Sequence, residues 1–229
     1  YICCINSKRV VMYEISSGRI EKFYPGNKAF TAISISVSGK YLACALSDAT
    51  MRLIEIQTGI IVSKVAIHSQ IINFISFFPN THNILSSSFS EINVWDFKME
   101  KLKYSLNNNT YNINLVAFAN DKKSVALAVD GNNSLQLWDV QTGRLIKTLH
   151  GHSARINSVV FSPNGKYLVS GSSDKTIRVW DAQVGQCITI FSGHNSPIQA
   201  LAFSPDNKYL ISSSFDNTLK LWDMNKRKQ

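Results

Sequence analysis

Histidine, serine and aspartate come together twice in the last third of this chain. His152 stands with Ser170 or Ser172 and Asp174, and His194 stands with Ser212 or Ser214 and Asp216. Those residue types can do acyl-transfer chemistry: a carboxylate orients an imidazole, which takes the proton from a nucleophilic hydroxyl. Each set is followed by a tryptophan, Trp180 or Trp222, at the same spacing. An enzyme does not need its site twice, so the duplication argues against a nucleophile. The sequence has no Walker loop, no dinucleotide fingerprint and no Cys/His zinc spacing, and we expect no catalytic residue, cofactor or metal.

The elements around these residues repeat as well. Trp-Asp occurs at Trp95-Asp96, Trp138-Asp139, Trp180-Asp181 and Trp222-Asp223, with weaker copies at Ile54-Glu55 and Tyr13-Glu14 in the same register. Gly151-His152 and Gly193-His194 precede their Trp-Asp by equal intervals, as do the turns Ser162-Pro163-Asn164 and Ser204-Pro205-Asp206. Between such landmarks lie short alternating runs: Ile156–Phe161, Tyr167–Gly171, Thr176–Trp180 and Cys187–Phe191. Period-two alternation broken by Gly, Pro, Asn and Asp predicts an antiparallel meander, and nothing sustains a helical period. A supersecondary unit repeated at this interval buries its faces only by stacking on its copies.

On these motifs the chain resembles the WD-repeat β-propeller family along essentially its whole length. The resemblance implies an all-β fold of four-stranded blades. Six blades are represented, and residues 1–229 are expected to form one propeller domain incomplete at both ends. Residues 1–24 would supply three strands of the first blade and residues 197–224 three strands of the last. Four whole blades would end near residues 66, 106, 149 and 191. The expectation is a fragment of a propeller with seven or more blades. The resemblance also gives the repeated quartets a structural role. They would be hydrogen-bonded tetrads, His152, Ser172, Asp174, Trp180 and His194, Ser214, Asp216, Trp222. Each ties the loop before a blade to its second and third strands. Earlier blades lose the set piecemeal: Pro25-Gly26 replaces Gly-His, His68 lacks an Asp in its turn, and Thr110 and Asn132 hold the His and Asp places of the next blade. These blades are expected to rest mainly on apolar packing.

Function follows from what such a platform displays. Phe89 and Phe215 sit at equivalent places, each after three serines, in a loop that the resemblance puts on the partner-binding face. They are candidate anchors, with Tyr111, Arg155 and Lys175 in loops of the same face. The alternative for each Phe is packing against a neighbouring loop. The net charge is +9, and nine of the fifteen acidic residues are fixed at repeat positions, which leaves the accessible surface more basic still. Lys40, Lys122, Lys123, Lys166, Lys208 and Arg144 lie in turns of the opposite face, where they could meet RNA phosphate or an acidic protein. Some family members that serve cullin ligases carry Arg two residues after Trp-Asp; here those places hold Lys98, Gln141, Gln183 and Asn225. Cys3, Cys4, Cys44 and Cys187 show no disulfide or metal spacing, and buried thiols in a reducing compartment are expected. No apolar run is long enough for a membrane span. The reading is an intracellular, non-catalytic scaffold whose partners are other proteins of a multi-subunit assembly, with no membrane and no small-molecule substrate. The rivals are a ribonucleoprotein or ribosome-biogenesis component, a cytoskeletal or ciliary scaffold, and a ubiquitin-ligase adaptor.

Overall fold

The computed structural model describes residues 2–6, 8–78, 83–89, 91–98, 101–106, 113–119, 123–129 and 131–226. These residues form twenty-two strands and no helix. They fall into two compact units, Tyr1–Thr110 and Tyr111–Gln229.

In the first unit, β1 (Ile2–Asn6), β2 (Arg9–Tyr13) and β3 (Ile20–Pro25) make a three-stranded sheet. Next come β4 (Phe30–Ile35), β5 (Tyr41–Leu46), β6 (Thr50–Glu55) and β7 (Ile61–Ala66) as a four-stranded meander. A second four-stranded meander follows: β8 (Phe74–Phe77), β9 (Asn83–Ser87), β10 (Ile92–Asp96) and β11 (Lys101–Ser105). Every pairing is antiparallel and joins neighbours in sequence, as the alternating runs predict. Middle strands such as β5, buried from Leu42 to Leu46, are covered on both faces by the adjacent sheets. Val10, Met12 and Tyr24 of the first sheet pack on Leu42, Cys44 and Leu46, while Ala43, Ala45 and Leu53 pack on Ile72, Ile75 and Ile84 of the third.

The second unit repeats this plan with β12 (Ile113–Phe118), β13 (Ser124–Val129), β14 (Ser134–Asp139) and β15 (Arg144–Leu149). Its second sheet is β16 (Ile156–Phe161), β17 (Tyr167–Ser172), β18 (Ile177–Asp181) and β19 (Cys187–Phe191). The third has three strands: β20 (Ile198–Phe203), β21 (Tyr209–Ser214) and β22 (Leu219–Asp223). Ala126, Ala128, Leu135 and Leu137 of one sheet face Ile156, Val159 and Leu168 of the next. Val169, Ile177 and Val179 in turn face Ile198, Leu201, Leu210 and Trp222.

Two features recur from sheet to sheet, the first of which ties neighbouring sheets together. The amide of Leu201 donates to Ser158 Oγ at 3.1 Å, as that of Phe77 does to Ser34 Oγ at 3.2 Å in the first unit. A β-bulge also recurs between the third and outer strands beside the Trp slot, at Val94/Trp95, Leu137/Trp138 and Val179/Trp180. The extra residue sits on the outer strand, at Lys103, Ile146 and Ile188, and bends that strand beside the Trp slot.

The thiols depart from expectation. Cys44 is buried and its pKa is pushed up to about 12 by burial, but Cys4 and Cys187 are exposed. Cys187 opens its strand, where the outer edge of the sheet meets solvent.

Close sheet-to-sheet approach is testable at Gly171. A Cβ there would lie 2.5 Å from Ile198 Cγ2, a separation that real contacts do not show. Gly171→Ala should therefore destabilise by about 1–3 kcal/mol through overpacking, read as a lowered denaturant midpoint with unchanged slope. No loss of stability would mean that the two sheets slide freely.

Candidate functional site

The conformation of each turn between second and third strands is set by the residues beside it. In the turn from β17 to β18, Lys175 has φ +71°, and Asn217 has φ +63° at the same place in the next sheet. Asp174 Oδ1 accepts from the amide and the hydroxyl of Thr176, at 2.9 and 2.6 Å, which folds the turn back on itself. Asp174 Oδ2 is left to face the preceding loop. It accepts from the amide of Ser153 at 3.1 Å and lies 2.7 Å from His152 Nδ1.

The rest of the network runs inward. His152 Nε2 is 2.8 Å from Ser170 Oγ, and Trp180 Nε1 donates to the same oxygen at 2.9 Å. One proton arrangement satisfies every atom. The indole donates to Ser170, the Ser170 hydroxyl donates to Nε2, and Nδ1–H donates to the ionised Asp174. That arrangement needs a neutral ring. Burial pulls the His152 pKa below the usual imidazole range, against the pull of Asp174. Burial raises the Asp174 pKa, but hydrogen bonds from Thr176 and His152 outweigh it and the net shift is downward.

The next sheet copies this: His194 lies 2.8 Å from Asp216 and from Ser212, and Trp222 donates to Ser212 at 2.8 Å. The hydroxyl in each network is thus Ser170 or Ser212, which corrects the assignment to Ser172 and Ser214. Cross-strand register explains the choice. Trp180 pairs with Leu168, so Ser170 is its diagonal neighbour on the same face, about 7–8 Å away at Cα. Ser172 lies a further two residues along. Its hydroxyl accepts from Asp174 N at 3.1 Å and donates to Ala154 O at 2.9 Å, a second tie between turn and loop.

In the first unit the sequence reading missed a member. His68 does have a carboxylate: Nδ1 is 3.0 Å from Glu91 and Nε2 is 2.8 Å from Ser86. The turn there is one residue shorter, and the longer Glu side chain reaches back from the start of β10. Burial depresses the His68 pKa too. Trp95, in the tryptophan slot, leaves its buried Nε1 without a partner. Beside the apolar packing expected to dominate in these earlier blades, this sheet therefore keeps a histidine bridge. In the sheet of β12 to β15, Trp138 donates instead to Gln136 at 3.1 Å, and Asn132 accepts from Ser134 as a turn residue. Thr110 lies outside the described residues.

The candidate anchors sit on these turns. Phe89 is 52% exposed and Phe215 is 64% exposed, so neither ring is buried. The Phe215 amide donates to Pro197 O at 3.0 Å, so its backbone is fixed while its ring is not covered. Arg155 and Lys175 are exposed at the same end of the second unit, where Arg155 O accepts from Ser173 N. Tyr111 lies outside the described residues, as does Lys122.

At the other end the cations are partly compensated. Lys40 is 3.5 Å from Glu55, Lys208 is 3.6 Å from Asp206 and Lys226 is 3.7 Å from Asp223. Lys166 lies over the Tyr167 ring at 5.4 Å. In the second unit's first sheet Lys123 precedes β13, and Arg144 opens β15, paired in register with Asp139. Among the described residues no group of three or more His, Cys, Asp or Glu could hold a metal ion.

The description "WD domain, G-beta repeat" matches residues 143–181 and 185–223, the stretches that carry Trp180 and Trp222 with their networks. The chain belongs to the WD-repeat family. It is 34% identical over 178 residues to autophagy-related protein 16 of Arabidopsis thaliana, covering 73% of this chain and 33% of that protein. Nuclear distribution protein nudF of Emericella nidulans is 29% identical over 165 residues, 62% of this chain and 37% of that one. U3 small nucleolar RNA-associated protein 21 of Saccharomyces cerevisiae is 28% identical over 147 residues, 64% of this chain and 15% of that one. The WD-repeat chain thus spans 15–37% of the length of these three relatives.

Two outcomes follow from the networks. Ser170→Ala should cost about 2–4 kcal/mol, because it leaves both a buried indole N–H and a ring nitrogen unpaired. Glu91→Ala, at a bridge whose carboxylate is partly solvated, should cost about 1 kcal/mol or less by the same denaturant measurement. Equal losses would refute this proton arrangement.

Acid should act through the same atoms. A His with a depressed folded pKa adds stability that is full above about pH 6.5 and is lost as pH falls through the lowered value. Asp174 and Asp216, also depressed, add a second loss below about pH 4. Unfolding free energy should therefore drop between pH 7.5 and 5.5, and by less in His152→Asn. An unchanged drop in that variant would show that the ring does not titrate on unfolding.

Proposed function

We propose that the chain is a non-catalytic docking platform of a multi-protein assembly, and that each unit engages partners through the aromatic residue on its braced turns. The observation that carries this reading is the exposure of Phe89 and Phe215 at equivalent turn positions. A large apolar ring held in water is unfavourable, and it gains most when a partner covers it. Asp216, Ser214 and the Pro197 carbonyl fix the backbone beneath Phe215, so little ordering entropy remains to be lost on binding.

Geometry also speaks against catalysis at the His–Ser–Asp sets. Ser170 is fully buried and Ser212 nearly so, and each oxygen is already engaged by a tryptophan. A nucleophile must reach its substrate, and these hydroxyls cannot.

A second reading has support from one relative, whose name places it with U3 small nucleolar RNA, and from the basic composition. It would use Lys123, Arg144, Lys166 and Lys208. The pairing of Lys208 with Asp206 and the fixed turn carboxylates weaken it, since non-specific RNA affinity comes from uncompensated cations.

Affinity capture from native lysate separates the two. Phe89→Ala with Phe215→Ala should abolish capture of direct protein partners, while raising salt from about 50 to about 500 mM, which shortens the Debye length from about 14 to about 4 Å, should matter little. Loss of capture on Lys123, Lys166 and Lys208 to Glu, with steep salt dependence and nuclease sensitivity, would favour RNA. Capture that survives both sets would place the binding surface elsewhere.

A further inference from the structure

Three of the four pairs of adjacent sheets within the units form a groove at the end opposite the phenylalanine turns. It lies between the first residue of a second strand, the third and outer strands of that sheet, and the turn after Trp-Asp in the next. Three such grooves, one in the first unit and two in the second, share this plan.

In the first unit, the groove between the sheets of β4–β7 and β8–β11 is walled by Leu53 and Val62 and filled by the chain's own rings. Phe97 packs edge-on against Tyr41, with centroids 5.6 Å apart, and against Phe77 at 5.9 Å. About 210 Å³ remains. In the second unit, Tyr167 and Met224 hold the Tyr41 and Phe97 places between the last two sheets. Both join the core around Val179 and Leu201.

The groove between the sheets of β12–β15 and β16–β19 differs at those two places. Register puts Ser124 where Tyr41 stands, since each opens its strand opposite the acid of the Trp slot, Asp139 or Glu55. Ala182 follows Asp181 as Phe97 follows Asp96. Leu137 and Ile146 keep the apolar walls of Leu53 and Val62, and Phe161 holds the place of Phe77. Both side chains that fill the sister grooves are thus missing from one groove, and its volume is about 490 Å³. That lies within the range of about 300–1,000 Å³ usual for ligand pockets, whereas the filled groove falls below it.

We infer that this groove is a socket for one aromatic side chain of a partner peptide, with an acidic residue beside it. The first half rests on the sister grooves, where an aromatic ring is the occupant that these walls accept. The second half rests on charge at the mouth. Lys166 lines it, while the one carboxylate among the described residues there, Asp181, is already committed to the amides of Gln183 at 2.8 Å and Val184 at 3.0 Å. A partner carboxylate can therefore pair with Lys166 without displacing the turn. The socket is separate from the phenylalanine turns and stands or falls independently of them.

The test is a methyl NMR titration of the full chain with a blocked tripeptide, phenylalanine between two aspartates, against its alanine counterpart. The phenylalanine peptide should bind at least ten times more tightly and shift the methyls of Leu137 and Ile146. Ala182→Phe, which restores the sister residue, should remove that preference, and Lys166→Glu should weaken the phenylalanine peptide several-fold. Because a larger residue at Ala182 could disturb folding, a gain of binding completes the test. Tyr41→Ser with Phe97→Ala should make the Leu53 and Val62 methyls respond as well. Equal binding of the two peptides, an Ala182→Phe variant that melts normally and binds unchanged, or tighter binding of oligouridylate would each overturn the assignment.

Discussion

A buried indole N–H needs an acceptor, and in the two C-terminal sheets nearly every local choice follows from supplying one. Ser170 accepts from Trp180, so its own proton must go to a ring nitrogen, and His152 is the ring within reach. The remaining ring proton then needs an anion, which Asp174 supplies while its other oxygen closes the turn through Thr176. A demand deep between the sheets is thus carried to the surface, where it fixes the backbone of Ser173 and Lys175, or of Phe215 and Asn217. Removing any one member leaves its neighbours desolvated and unpaired, which costs more than the bond itself contributes. Coupling of this kind makes a short loop stiff without a disulfide or a metal.

The two other sheets that carry a tryptophan differ in how far they meet this demand, and the differences are informative. Gln136 satisfies Trp138 from within its own strand, so no histidine is required and Asn132 is released to act as an ordinary turn residue. In the sheet of β8 to β11 the outer half of the network persists through Glu91 while Trp95 stays unpaired. Here the histidine bridge works for the turn and not for the indole. The network is therefore two linked devices, one for the buried ring and one for the turn, and the earlier sheet keeps only the second.

Much of this was legible from spacing alone. Strand number, order and antiparallel pairing follow from the Trp-Asp interval and the turn residues, because a meander has only one way to pair neighbours. Two kinds of error remained, both physical. Choosing Ser172 over Ser170 ignored that the hydroxyl must be the diagonal neighbour of the tryptophan, which strand register decides and residue type does not. Missing Glu91 came from expecting a fixed turn length. One residue fewer moves the carboxylate position to the start of the next strand, where a longer side chain compensates. The exposure of Cys4 and Cys187 was beyond reach for a related reason: a period-two pattern tells which residues share a face, but not which face the neighbouring sheet covers.

Repetition also supplies an internal control that a single domain lacks. Because equivalent positions are solved several times in one chain, a departure at one of them can be read against its siblings and not against an average protein. An exposed Phe215 is informative because the matching place in the sheet before it holds Ser173, whose small side chain accepts from Asn157. A groove lined by Ser124 and Ala182 is informative because its counterparts hold Tyr41 with Phe97 and Tyr167 with Met224. In both cases the scaffold is unchanged and one or two side chains have been exchanged, in opposite senses. At the turn an apolar ring has been added where none is needed for folding, and in the groove two have been taken away where packing would favour them. Neither exchange lowers the free energy of the folded chain by itself, since the first exposes apolar surface and the second leaves space unfilled. Both become favourable when a second molecule covers the ring or fills the space, and that is the physical sense in which a rigid, repeated frame becomes a binding protein.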